Sequence, residues 1–163
     1  RKSSISRLLS PGHMKNIIDR IIQGTTVSQS IIHGKDHWDR VCEYGKLIAE
    51  KEGLEERILV LFSYFHDCKR LSDGIDPDHG PRAAEYLLTY SSEELGLPID
   101  HQKRLAFACR YHTDERETDD LTIKACWDSD RLDIGRIGVE VDPRRLFTQT
   151  AKRIAAGKLK VCW

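Results

Sequence analysis

The sequence has no C-x-x-C cysteine pair, no excess charge of either sign and no apolar run long enough to cross a membrane. Its 5 cysteines are scattered along the chain, which argues against a disulfide framework and against a structural zinc site. Lys and Arg together number 26, as do Asp and Glu, so the formal net charge is zero. The balance gives no global attraction to nucleic acid or to an anionic membrane. The longest apolar run, around Ile58, falls short of the ~20 residues of a membrane span.

These absences favour a cytoplasmic protein with reduced thiols, with neither a membrane partner nor a dedicated nucleic-acid partner. The 163 residues fit one domain, 1–163, with a single core. The chain begins with Arg1 rather than Met, which leaves a preceding targeting segment open. The oligomeric state is also left open.

Helical patterns account for most of the sequence, and it shows no alternation typical of strands, no internal repeat and no low-complexity region. Ser10 and Pro11 suit the start of a first helix, which Gly24 closes. Further helices are predicted at 35–51, 54–70, 80–89, 100–112, 121–137 and 143–156, with a short turn at 91–94. The sequence therefore predicts an all-α, single-domain protein.

The dipeptide His66-Asp67 closes an apolar run that extends over residues 58–65. An ionised carboxylate buried at the end of such a helix is costly unless it has a partner. A divalent cation is one such partner. A salt bridge to Lys69 or Arg70 is the alternative, and more distant residues must decide between the two.

His and Asp residues are concentrated in four segments, 33–41, 65–67, 76–80 and 128–133, each close to a predicted helix end. The order His37, His66-Asp67, Asp130 resembles the H…HD…D signature of the HD-domain superfamily of metal-dependent phosphohydrolases. Arg40 follows His37 as in the H-x-x-R-V form of that signature, and residues 130–132 match its D-R-L element. The resemblance covers about residues 33–138, the expected core of the domain.

The resemblance implies a helical bundle of the HD-domain type, with His37, His66, Asp67 and Asp130 as metal ligands. Mn²⁺, Mg²⁺ or Fe²⁺ accepts such mixed ligands and keeps positions open for water and substrate; Ni, Co or Zn are further possibilities in the isolated protein. The alternative is that the four residues serve only as helix caps and salt bridges. Asp128 and Asp133 compete with Asp130 for the last ligand position, and otherwise suit hydrogen-bond acceptors behind the ligands.

Other residues are candidates for binding substrate or a second metal, as the additional histidines of some HD enzymes do. His33 precedes His37 by four residues, but Gly34 indicates that it lies before the helix. His79 stands at a helix start, where backbone N–H groups favour anions. The candidates for substrate or second-metal binding are His33, His79, His112 and Arg40.

The resemblance implies hydrolysis of a phosphoester or phosphoanhydride in a nucleotide or another small phosphorylated metabolite. A bound metal polarises a phosphoryl oxygen and supplies a nucleophile at neutral pH. Asp67 is the candidate proton acceptor, and Arg70 and Arg131 are the candidates that neutralise developing charge. Two alternatives are a non-catalytic sensor of metal and nucleotide, and a di-iron oxygenase of the HD type, which would need His79 and His112 as ligands.

Overall fold

Helices and the turns between them build the protein. The computed structural model describes residues 10–114 and 116–163, and no β-strand occurs in these two ranges. Their α-helices are α1 (Pro11–Gln23), α2 (Lys35–Glu52), α3 (Glu56–Phe65), α4 (His79–Leu87), α5 (Ser92–Leu95), α6 (Ile99–Arg110), α7 (Leu121–Leu132) and α8 (Gln149–Ala155). Two 3₁₀-helices, Ile134–Ile137 and Pro143–Arg145, lie between α7 and α8. The predicted all-α, single-domain fold is confirmed.

Helix α3 is the centre of the bundle. It packs against α1, α2, α4, α6 and α7. Every residue from Ile58 to Phe65 is buried, as expected for a helix that is apolar on all sides. Helix α3 therefore fixes the position of whatever follows its last residue.

No helix in the described part of the chain has both the length and the apolar character that crossing a membrane requires.

The capping residues at several helix starts act as their sequence indicates. The Ser10 hydroxyl accepts a hydrogen bond from the His13 amide at 3.2 Å, at the predicted start of α1. Ser91 and Glu94 form a reciprocal capping box around α5, which satisfies two amides that the helix itself leaves free. Local side chains decide these helix starts.

The predicted helix 54–70 was wrong at its end, because α3 stops at Phe65. The Nδ1 atom of His66 donates to the carbonyl oxygens of Phe62 and Ser63, at 3.1 and 2.9 Å. The Ser63 carbonyl is the one that the Asp67 amide would need to continue the helix. The imidazole therefore ends the helix and holds itself in place by the same bonds.

Two other predicted helices differ from the observed elements, and one of them is broken by a tertiary contact. The helix predicted at 121–137 stops at Leu132 and resumes as a 3₁₀ turn beyond Asp133. In 143–156, the amides of Phe147 and Thr148 donate to the buried Asp128 carboxylate, at 3.0 and 2.7 Å. Because these amides bind a side chain from α7, residues 143–148 form a 3₁₀ turn and an extended link, and α8 begins only at Gln149.

The five cysteine thiols differ in their exposure to solvent. Cys42, Cys68, Cys109 and Cys126 are buried and Cys162 is exposed, and all are free. Burial raises the pKa of Cys42 to about 11 and that of Cys68 to about 12, and it raises the pKa of Cys109 and Cys126 well above the usual value.

At a pH of about 8 we expect Ellman's reagent to modify Cys162 rapidly and the other four only after unfolding, because the thiolate is the reactive form. Cys162→Ser should remove the fast phase, and rapid modification of a second thiol in the native protein would contradict the assignment.

Candidate metal centre

The four predicted ligands meet at one point where helix ends converge. His37 lies in the first turn of α2, His66 and Asp67 follow α3, and Asp130 lies in the last turn of α7. The Nε2 atoms of His37 and His66 are 3.2 Å apart. Asp130 Oδ1 lies 3.2 and 3.6 Å from these two atoms, and Asp67 Oδ2 lies 3.8 and 3.6 Å from them. We call this set of four residues the first cluster.

A second cluster shares Asp67 with the first. Asp67 Oδ1 lies 3.2 Å from His79 Nε2 and 3.4 Å from His112 Nε2. The two Nε2 atoms are 2.9 Å apart. The structure thus brings together two of the predicted additional histidines, and the two oxygen atoms of one buried carboxylate face different histidine pairs. Both sets of three buried residues, His37–His66–Asp67 and Asp67–His79–His112, have the spacing of a metal site.

The hydrogen bonds of the histidines show that both clusters suit a cation. In each imidazole, Nδ1 faces a group that only accepts hydrogen bonds, so Nδ1 carries the hydrogen and Nε2 of the neutral ring keeps its lone pair. When both rings of a pair are neutral, their Nε2 lone pairs face each other at 2.9 or 3.2 Å and repel, and a proton or a metal cation between them turns the repulsion into attraction. The Nδ1 acceptors are Asp133 for His37, the Phe62 and Ser63 carbonyls for His66, the Asp76 carbonyl for His79 and the Cys109 carbonyl for His112.

The electrostatics of the clusters agree with this interpretation. Burial lowers the pKa of His66 to about 4, so this imidazole is neutral near pH 7. Burial alone would raise the pKa of Asp67 and Asp130, but the neighbouring histidines lower it below the usual range. Burial would lower the pKa of His37 and His112, but the carboxylates outweigh it and raise both. The carboxylates therefore create a negative potential that favours a positive charge at the centre.

A close approach of α4 to α6 places His79 beside His112. A Cβ atom on Gly80 would lie 2.7 Å from the carbonyl oxygen of Arg110 and 2.9 Å from that of Cys109. Only glycine fits between these backbones. Sequence reasoning did not find this requirement, because it depends on which helix lies opposite.

Asp133 orients His37 rather than competing with Asp130 as a ligand. Its Oδ2 accepts from His37 Nδ1 at 2.7 Å. The Arg40 guanidinium donates to both oxygens of the same carboxylate, at 2.8 and 3.1 Å. Arg40, predicted as a candidate for substrate binding, is thus bound to Asp133 behind the first cluster.

Asp128 and Arg131 lie on the side of α7 that contacts the C-terminal segment. The Asp128 carboxylate accepts from the amide and the hydroxyl of Thr148. Arg131 Nη1 donates to the carbonyl oxygen of Arg145 at 2.6 Å. The structure therefore does not bring these residues to the clusters, although the sequence made Arg131 a catalytic candidate and Asp128 a possible ligand.

Arg70 and His33 flank the centre from outside. Arg70 Nε donates to Asp67 Oδ1 at 3.0 Å, and its Nη1 donates to the Gly74 carbonyl at 3.3 Å. The salt bridge considered from the sequence is thus present alongside the two clusters. His33 precedes α2, as Gly34 indicated, and its Nδ1 lies 2.9 Å from Asp73 Oδ1, outside both clusters.

A cavity of about 460 Å³ opens beside the second cluster. Arg70 and His79 contribute to its wall, so a molecule bound there would contact one histidine of the second cluster and the guanidinium that binds Asp67. Its other lining residues are Gly74, Ile75, Asp76, Pro77, Thr113 and Asp114.

Comparison with known proteins finds similarity in solved structures. The crystal structure of a predicted HD superfamily hydrolase from an uncultured Thermotogales bacterium is 26% identical in sequence and superposes with a TM-score of 0.72, over 90% of this chain and 84% of that chain. The chain has the HD-domain fold. No family model and no curated protein matches it.

A second solved structure has a similar fold. A Lactobacillus plantarum protein is 21% identical with a TM-score of 0.57, and the match covers 91% of this chain and 66% of that chain. This likeness concerns the fold alone, and the chain spans slightly less than two thirds of that protein. Together with the His and Asp clusters, the HD-domain fold indicates a divalent-metal site.

The contact between Asp133 and His37 predicts how tightly such a metal is held. Asp133→Asn removes the charge that stabilises the Nδ1 hydrogen of His37, so we expect Mn²⁺ affinity to fall about tenfold or more. Competition with a fluorescent chelator measures this affinity. Asp36→Asn, an exposed carboxylate next to His37 in the chain, is the matched control and should bind like wild type. Unchanged affinity in a folded Asp133→Asn protein would refute the orienting role.

Proposed function

We propose that this protein is a metal-dependent phosphohydrolase that acts on a nucleotide or another small phosphorylated metabolite. The supporting observation is the convergence of His37, His66, Asp67 and Asp130, from three distant parts of the sequence, into one buried cluster within an HD-domain fold. A hydrolysis site needs such a cluster to be reachable. The Asp130 side chain is 20% exposed, and a cavity lies beside His79 of the neighbouring second cluster.

The residues of the first cluster would hold the ion. A divalent metal in this position supplies Lewis-acid activation of a phosphoryl oxygen and a nucleophile at neutral pH. Asp67 has a pKa well below its usual range because of His66, His79 and His112. It therefore stays ionised, which suits a ligand. A carboxylate with a low pKa is a weak base, so Asp67 suits the role of a metal ligand better than the predicted role of proton acceptor.

The cavity suits a small phosphorylated molecule. Its volume of about 460 Å³ lies within the range of small-molecule sites. The Arg70 guanidinium lines it, and its planar donors match phosphate oxygens in pairs. Ile75 and Pro77 offer apolar contact, while Thr113 and Asp114 offer hydrogen bonds to the rest of the substrate.

Activity measurements test the proposal directly. The protein loaded with Mn²⁺ or Mg²⁺ should release phosphate or pyrophosphate from at least one member of a panel of nucleotides and sugar phosphates. Asp67→Ala should lower kcat/KM by about a thousandfold or more, because both clusters lose their shared ligand. Asp78→Ala, an exposed carboxylate just before α4, should keep wild-type activity. Full activity of Asp67→Ala would refute the proposal.

A di-iron oxygenase is a second candidate, because the structure places His79 and His112 together with Asp67 as such a site requires. Two irons per chain and oxygen consumption, without hydrolysis of the panel, would favour it. Tight binding of a nucleotide without turnover would instead favour a non-catalytic sensor.

A further inference from the structure

The two clusters have unequal charge. The first contains two carboxylate oxygens, Asp67 Oδ2 and Asp130 Oδ1, opposite two imidazoles. The second contains only Asp67 Oδ1 opposite His79 and His112. A divalent ion in the second cluster would therefore have half the carboxylate ligands that it has in the first.

The oxygen atom that the second cluster depends on already binds a cation. Arg70 Nε lies 3.0 Å from Asp67 Oδ1. The Arg70 side chain is only 10% exposed, so water screens its charge weakly. Two cations on one carboxylate oxygen repel each other. The guanidinium of Arg70 thus opposes an ion between His79 and His112.

The Asp76 carboxylate does not compensate for Arg70. Asp76 precedes His79 by three residues, but its Oδ1 accepts from Arg82 Nη2 at 2.7 Å and its Oδ2 accepts from the Leu71 amide at 3.0 Å. No further carboxylate belongs to the second cluster among residues 10–114 and 116–163. A bound anion would supply the negative charge that this cluster lacks.

We propose that Arg70 keeps the second cluster from binding a metal until a phosphate group enters the cavity, so that the second ion and the phosphate bind together. Arg70 lines the cavity, so its guanidinium can turn from Asp67 to the phosphate oxygens, which accept its donors in pairs. The turn frees Asp67 Oδ1 for the metal, and the phosphate adds negative charge to that site. The inference rests on the proposed function, because it assumes a phosphorylated ligand at this centre.

Titration calorimetry with Mn²⁺ on the full chain tests the proposal without any measurement of activity. Wild type should bind one Mn²⁺ tightly and a second at least about tenfold more weakly. Inorganic phosphate should strengthen the second binding step but not the first. Electron paramagnetic resonance should show isolated Mn²⁺ alone and a spin-coupled pair once phosphate is added.

A neutral substitution removes the opposing charge. Arg70→Gln should strengthen the second step about tenfold without phosphate, and it should make that step nearly independent of phosphate. Lys69→Gln is the matched control, since it removes one positive charge from the neighbouring residue, whose Nζ contacts the Gly24 carbonyl and the Tyr86 ring. It should behave as wild type. Arg70→Lys keeps the charge and should keep the second step weak.

The outcomes separate the two proposals. Two equal Mn²⁺ sites in wild type, or a second step in wild type that phosphate leaves unchanged, would overturn the role of Arg70, and these measurements need no variant. An Arg70→Gln protein with an unchanged second step would overturn it as well. Failure of wild type to bind the first Mn²⁺ would instead overturn the proposed function.

Discussion

The buried charge of Asp67 is the constraint on which the centre depends. Its carboxylate is 2% exposed, and an isolated charge at such a position would be strongly destabilising. Histidine pairs on both sides and one guanidinium compensate it. His66 and Arg70 follow α3, and the other three groups come from the ends of α2, α4 and α6, so the charge also defines how these helices must meet.

The fold supplies this meeting point through the position of α3. Because α3 is apolar on every side, it lies at the centre of the bundle, and the residues that follow Phe65 emerge among the ends of α2, α4, α6 and α7. The C-terminal ends of α3 and α7 carry the negative end of the helix dipole, which favours a cation there. The buried helix α3 thus forms the middle of the hydrophobic core and also places His66 and Asp67 where the charged clusters form.

Charged residues close to each other in sequence serve different purposes in this structure. On α7, Asp130 faces the first cluster, Asp128 holds the C-terminal segment and Asp133 orients His37. Asp128 and Asp130 point to nearly opposite sides of α7 because they are two residues apart, whereas Asp133 lies just beyond the end of α7. Arg40 and Arg70 likewise differ: the first is bound behind the ligands, and the second faces the cavity.

The sequence alone determined the helical class, the central helix and the identity of the first cluster, because apolar periodicity and the ordered His and Asp motifs are local features that survive without coordinates. Three helix ends, at Phe65, at Leu132 and before Gln149, could not be predicted from it. At Phe65 and before Gln149, the His66 imidazole and the Asp128 carboxylate bind backbone groups that would otherwise continue the helix. Only the tertiary structure decided that His79 meets His112 and that Arg70 shares an oxygen atom of Asp67. The first contact depends on the close approach of two helices at Gly80, which leaves no pattern in the sequence. The second depends on the turn after α3, since the sequence allowed a salt bridge from Asp67 to either Lys69 or Arg70.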